Sequence, residues 1–226
     1  VTDTIPLFPL GTVLLPGGAL PLHVFEPRYR QLTLDLLHEV VPERRFGIIA
    51  IRQGWEVGEG NVDALHDVGC SAVLETAQRL PEDRYDITTT GEHRFRLLQL
   101  DTEAAPYLMA RVEWLPDTTP EHPATELTER LVSSAMTAHT RYHDSGLRHD
   151  HRQELDDDPD PAQLAYTLAD DCVLGVDDRQ ELLAETDPHL RLRLVRQLML
   201  REAEFLRELR AVPASLAEFV QQPGVN

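Results

Sequence analysis

The chain has 226 residues, of which 42% are hydrophobic and 27% charged, and a formal net charge of −18. It is long enough for one large domain or two small ones with a substantial core. Its acidity argues against nucleic acids and anionic membrane surfaces, both of which are bound through cationic contacts. The absence of any run of about 18 apolar residues gives no reason to expect a transmembrane helix.

The charge is unevenly distributed: −7 over residues 1–116, −13 over 117–187 and +2 over 188–226. All 21 basic residues are arginine. A P-loop requires a lysine at the nucleotide phosphates, and Ser–Lys catalysis requires a base that arginine, always protonated, cannot supply. Gly54, Gly58 and Gly60 do not make the G-x-G-x-x-G of a dinucleotide site. Cys70 and Cys172 form no C-x-x-C pair or disulfide framework, and the first residues carry no basic-then-apolar secretory pattern. A reducing cytoplasm is therefore the expected location.

Up to about Leu115 the pattern is mostly β. Pro6, Pro9, Pro16, Pro21 and Pro27 exclude a helix over the first 27 residues. The apolar runs Thr12–Leu15 and Leu20–Phe25 flank a turn at Gly17-Gly18. Pro27 is suited to the first position of a helix, predicted to about Glu39 with Tyr29, Leu32, Leu36 and Leu37 on one face. Strands are predicted over Phe46–Ile51 and Val68–Leu74. Arg84–Thr89 and Phe95–Leu100 are predicted as two further strands, broken at Gly91. Tyr107–Leu115 alternates, placing Leu108, Ala110, Val112 and Trp114 on one face.

From Pro120 the period becomes helical. Leu127, Leu131, Ala135, Met136 and His139 form one stripe. Asp160-Pro161 reads as an N-cap and first helical residue, opening a helix with Leu164, Leu168 and Cys172 in line that ends by Gly175. Asp177 with Gln180 resembles a capping box. Asp187-Pro188 opens the longest helix, with Leu190, Leu194, Val195, Leu198, Phe205 and Leu209 as its apolar positions and Pro213 as its stop. Leu192, Leu198 and Leu200 extend beyond that stripe, which predicts either deep burial or self-association as a homo-oligomer. The division expected is a β domain over 1–116 and an α-helical domain over 117–226.

Several segments carry a family resemblance. Ile5–Leu10 through Leu22-His23-Val24-Phe25-Glu26-Pro27-Arg28-Tyr29 resembles the opening of the Lon protease N-terminal, substrate-binding domain. Phe46-Gly47-Ile48-Ile49, Val68-Gly69-Cys70-Ser71-Ala72, Gly91-Glu92-His93-Arg94-Phe95-Arg96 and Pro106–Ala110 resemble later motifs of that family, in order. The resemblance implies an α+β fold, a PUA-like β-barrel followed by an α-helical bundle. With no lysine for a P-loop or a Ser–Lys pair, a stand-alone module without ATPase or peptidase domains is expected. The expected function is non-enzymatic: recognition of polypeptide clients, unfolded or extended, or docking to a protease or chaperone partner. The rival is a PUA-like binder of a small molecule or RNA, which a surface cluster of Arg44, Arg45, Arg94 and Arg96 would favour. No cofactor is expected.

The candidate peptide-binding residues are Leu22, Phe25, Glu26, Arg28, Tyr29, Arg94 and Phe95. The corner also has a structural reading, with Glu26 at a helix N-terminus, Arg28 paired with an acid and Tyr29 turned inward. An exposed strand edge can capture a peptide by main-chain pairing; the proline-rich Ile5–Leu10 reads alternatively as an edge protected against it. His139 and His143 lie four apart on a helix, followed by Asp144, His149, Asp150 and His151. Two imidazoles and a carboxylate are a zinc-type donor set, but the spacing lacks the glutamate of H-E-x-x-H, and no metal is assigned. Asp156–Asp160 lacks the glycine and distant glutamate of a calcium loop. Cys70-Ser71 sits in no nucleophile elbow.

Overall fold

The computed structural model describes residues 1–53, 64–118, 125–145 and 159–209. The chain forms two compact units, one of Val1–Thr118 with Arg179–Thr186, the other of Thr119–Asp178 with Asp187–Asn226. The first unit thus recruits a short segment from within the helical half of the sequence.

In the first unit, strands β1 (Thr2–Leu10), β3 (Arg45–Gln53), β5 (Val68–Arg79), β6 (Tyr85–Asp101) and β7 (Met109–Trp114) close into a barrel. β1 makes the closure by changing partners along its length. Thr2–Pro6 pair antiparallel with β7, whereas Leu7–Leu10 pair parallel with β3. Pro6 and Pro9 flank this exchange, where a missing N–H is easily absorbed, and Leu7 N–H donates to Leu108 O at 2.8 Å. β1 is therefore a barrel strand rather than a protected edge. β4 (Ala64–Leu65) adds to β3, and β2 (Ala19–Val24) pairs antiparallel with the first half of β6.

The barrel core is Ile5, Leu7, Ile49, Phe95, Ala110 and Val112. Helix α1 (Pro27–Leu37) buries Tyr29, Leu32, Thr33 and Leu36. The Tyr29 ring stacks on Phe8 with centroids 3.8 Å apart, so β1 is covered on both faces. β6 runs unbroken through Gly91, correcting the expected interruption. Gly91 N–H donates to Gly18 O at 2.9 Å, and Gly17 N–H donates to Gly91 O at 2.8 Å. The residue marks a close backbone approach, not a strand end.

Two buried phenols give this unit a pH signature. Burial pushes the Tyr29 hydroxyl up to about 12, with nearby Arg28 opposing and Glu26 adding. Burial likewise raises Tyr107 to about 12, assisted by its hydrogen bond to Asp35 Oδ2 at 2.8 Å. The neutral phenol is thus favoured by folding. This stability is fully present below the unfolded value of about 10 and is lost as pH rises through about 12. An alkaline titration read by tyrosinate absorbance and circular dichroism should show late-ionising tyrosines whose ionisation coincides with unfolding. Ionisation of all five tyrosines near pH 10 with the fold intact would contradict this.

The second unit contains α2 (Thr125–Ser145), α3 (Pro161–Asp170) and α5 (Pro188–Leu209), packed on one another. Both proline starts are as expected: Asp160 Oδ1 accepts from Ala162 N–H at 3.0 Å, and Asp187 Oδ1 from His189 N–H at 2.8 Å. α3 stops at Asp170, before Gly175. The stripe of α5 is rotated from its expected position. Leu192, Val195, Leu198, Met199 and Ala203 are buried, while Leu190 and Phe205 are 44% and 53% exposed. On α2, Ala135 and His139 are buried but Leu127 is exposed. Helix α4 (Val176–Ala184) begins near Asp177 but uses no capping box. Gln180 instead donates its side-chain amide to Val68 O at 3.0 Å. Pro213, His149, His151 and Asp156–Asp158 lie outside the described residues.

Candidate functional site

The residues from Leu22 to Tyr29 form a strand-to-helix corner. Val24 is the last paired residue of β2, opposite Tyr85. Glu26 takes an extended conformation as N-cap of α1, and Pro27 follows as the first helical residue. The Glu26 carboxylate does not cap the helix; it accepts from Arg28 Nε at 3.1 Å. The Arg28 guanidinium in turn lies 4.6 Å from the centre of the Tyr29 ring, a cation–π arrangement. Glu26, Arg28 and Tyr29 therefore brace one another. The chain between β2 and α1 turns Phe25 outward, leaving it 48% exposed.

The surface beside Phe25 is polar and open. The His23 ring lies 6.1 Å from that of Phe25, and His23 Nδ1 is 2.6 Å from Asp86 Oδ1. Two residues past Phe25, Pro27 borders a cleft of about 280 Å³ lined also by Arg30, Gln31, Leu34, Arg79, Asp83 and Tyr85. This is just below the ~300 Å³ at which small-molecule pockets usually begin. Arg30 donates to Glu82 O at 3.0 Å and Arg79 pairs with Asp83, so the β5–β6 turn is tied to α1. That turn holds Glu82 and Asp83 at φ of 64° and 55°, a left-handed conformation that costs energy for residues with a side chain.

Along β2, Leu20 and Leu22 are half-buried while Ala19, Pro21 and His23 are exposed. Among the described residues β2 pairs with β6 alone, which leaves its other edge without a strand partner. The corner thus offers an open strand edge, one exposed aromatic ring and a small mixed-polarity cleft. No serine or cysteine lines the cleft.

Arg94 and Phe95 do not join this surface. They lie toward the other end of β6 and are 4% and 0% exposed. Arg94 donates to Leu183 O at 3.2 Å and Glu185 O at 2.6 Å, and pairs with Asp117. The Phe95 ring meets Trp114 edge-on at 6.4 Å. The alternation of β6 turns Phe95 into the barrel core and Arg94 to the opposite face, where the 183–185 segment and Asp117 cover it. The arginine cluster that would favour RNA is likewise not assembled. Arg94 is buried, Arg44 pairs with Glu39, and Arg45 pairs with Glu43 and Glu92. Cys70 and Ser71 are buried, and the Ser71 hydroxyl accepts from the His93 backbone N–H at 3.0 Å. The residues sequence reasoning missed, Arg30, Arg79 and Asp83, meet only through the β5–β6 turn and carry no local signal.

A closed five-stranded barrel and a helical unit define an α+β fold. Comparison with known proteins agrees. The model of the ATP-dependent protease La (LON) substrate-binding domain matches residues 4–201, and the chain belongs to that family. Lon protease 2 of Myxococcus xanthus is 29% identical over 222 residues, covering 92% of this chain and 24% of that protein. Lon protease 1 of Thermus thermophilus is 28% identical over 223 residues, covering 96% and 27%. The chain therefore spans about a quarter of the length of these relatives. Among solved structures, a Lon N-terminal domain protein from Xanthomonas campestris superposes with a TM-score of 0.55 at 24% identity, covering 84% of this chain and 95% of that one. The N-terminal domain of a Mycobacterium avium complex Lon protease gives 0.60 at 16%, covering 87% and 98%. At these identities the structures share the fold. No described helix is long and apolar enough to cross a membrane.

Proposed function

We propose that this chain is a non-enzymatic polypeptide-recognition module that binds extended or unfolded segments at the corner of β2 and α1. The observation that carries this reading is the open edge of β2 ending at the exposed Phe25. Main-chain pairing along such an edge is tolerant of sequence, and an apolar anchor beside it adds loose selectivity. Leu22 and Phe25 would contact the peptide, with Glu26, Arg28 and Tyr29 holding the corner in shape. The cleft past Pro27 would accept a side chain from the bound segment. Support for polypeptide as the ligand class comes from the family, described as a substrate-binding domain, and from relatives named as proteases. The clients, or a protease partner delivering them, would be met in the cytoplasm, consistent with two buried free cysteines.

The test is binding to an array of peptides from unfolded proteins, in low and high salt. Micromolar binding to apolar peptides that persists at high salt is expected. Phe25→Ser should weaken it roughly 5- to 10-fold, because a half-exposed ring has about 1–1.5 kcal/mol of burial still to gain. Absence of binding by the folded protein would remove the reading, and an unchanged affinity in Phe25→Ser would remove the site.

A further inference from the structure

We propose that His139, His143 and Asp171 form a binding site for one divalent transition-metal ion of the zinc type. His139 and His143 lie one turn apart on α2, which directs both rings to one side. The third donor is distant in sequence. Asp171 is the C-cap residue of α3, and its Oδ2 lies 2.7 Å from His139 Nε2 and 2.9 Å from His143 Nε2. The two imidazole nitrogens are 3.1 Å apart, and the rings are inclined at 71°. Three potential ligand atoms from two helices thus converge on one point.

The dimensions suit an ion. Ligand atoms about 2.0–2.1 Å from zinc lie about 3.3 Å from one another at the corners of a tetrahedron. The observed separations of 2.7–3.1 Å reach that arrangement by opening a few tenths of an ångström. A two-histidine, one-carboxylate set matches zinc and its first-row neighbours, and is too rich in nitrogen for calcium or magnesium. The side chains of His139, Asp171 and His143 are 0%, 8% and 13% exposed. His143 is the most exposed of the three ligands, and a water would complete a four-coordinate set.

The surroundings favour a cation. The C-terminal end of α3 carries the negative end of the helix dipole. Tyr142 Oη accepts from Val173 N–H at 3.0 Å, tying the turn that follows Asp171 to α2. His139 Nδ1 is buried and makes no hydrogen bond; a lone pair at Nε2 places the proton on this nitrogen without an acceptor, a cost that the ion's bonds must exceed. Without an ion, Asp171 Oδ2 accepts from both rings only if each Nε2 carries a proton, which crowds two N–H groups onto one oxygen. An ion replaces both protons with one centre of charge. It would staple α2 to the end of α3, stabilising the helical unit rather than performing chemistry.

The test is titration of the metal-free full chain with Co²⁺, then Zn²⁺. One Co²⁺ per chain should bind with the visible absorption of a four-coordinate site and be displaced by Zn²⁺. Binding of a ligand at 100 times its dissociation constant shifts the unfolding equilibrium about 100-fold, so Zn²⁺ should raise the melting temperature. His143→Ala and Asp171→Asn should each weaken binding at least tenfold and abolish the thermal shift. His143 is the less buried of the two histidines, so its replacement leaves the helix packing intact even if His139→Ala fails to fold. A His149→Ala/His151→Ala variant should bind as the parent does. Equal Co²⁺ affinity in His143→Ala and the parent, loss of binding in the His149/His151 variant, or no four-coordinate spectrum would each overturn the proposal.

Discussion

Replacing Arg94 with methionine should destabilise the first unit by about 3 kcal/mol, toward the low end for breaking a buried ion pair because Asp117 keeps about a third of its side chain in solvent. The guanidinium serves several groups at once. It donates to the carbonyls of Leu183 and Glu185 at the end of α4, where helical carbonyls lack partners, and pairs with Asp117. Nearby, Thr118 N–H donates to Thr186 O at 2.9 Å. Arg94 thus anchors the Arg179–Thr186 segment to the barrel and to the chain leaving β7. Methionine fills similar volume but makes none of these hydrogen bonds and no ion pair. Arg94→Lys retains the charge but not the fork, and should lose roughly half as much. Trp114 lies on β7, so its fluorescence during urea unfolding reports on this unit. A loss under about 1 kcal/mol for Arg94→Met would mean that the contacts do not act together.

The role of Arg94 also shows where sequence reasoning stops. An arginine in the charged run Glu92-His93-Arg94-Phe95-Arg96 reads as surface, and nothing local announces partners more than 80 positions away. Local chemistry was legible wherever a residue acts on its own segment. Pro27 opens α1, Asp160 and Asp187 cap α3 and α5, and Ala110 and Val112 alternate inward along β7. Barrel closure was not legible, because it depends on β1 leaving β7 for β3 at Leu7. Both partners are ordinary apolar strands, and either pairing suits the same residues. The rotated stripe of α5 has a similar cause. It carries apolar residues on more than one side, and tertiary packing chose Leu192, Val195 and Met199 over Leu190 and Phe205.

The candidate site divides in the same way. Glu26, Arg28 and Tyr29 are near neighbours in sequence and form the braced corner; Arg94 and Phe95 belonged to an equally recognisable motif but are buried on opposite faces of β6, Phe95 in the barrel core and Arg94 under the 183–185 segment. The sequence motif marked positions that matter without distinguishing contact with a ligand from support of the fold. The histidine pair on α2 was visible from its spacing. Its carboxylate was not, since Asp171 reaches it only through the packing of α3 on α2.

Gly91→Ala should cost roughly 3 kcal/mol or more, from overpacking and disrupted hydrogen bonds. The residue sits within β6, and its backbone is not in the left-handed region, so the requirement for glycine is one of space. An added Cβ would collide with the carbonyl oxygen of Leu15 and lie 3.1 Å from Leu14 Cγ. Because the main obstacle is backbone, relief requires moving the 15–18 segment away from β6. That motion breaks both hydrogen bonds between Gly91 and the Gly17-Gly18 turn. Gly69 makes an instructive comparison: its Cβ would meet the Phe95 ring, a side chain that can be shortened, as well as Ile48 O at 2.6 Å. Gly69→Ala should therefore be partly rescued by Phe95→Leu, while Gly91→Ala should have no side-chain rescue. Gly175→Ala, whose nearest neighbour would be Asp178 Oδ2 at 3.6 Å, should be near neutral. Urea unfolding of the four variants separates the cases. If Gly91→Ala unfolded at the same midpoint as Gly175→Ala, the approach of the turn to β6 would be looser than the geometry describes, and the family motif at Gly91 would need a different physical reason.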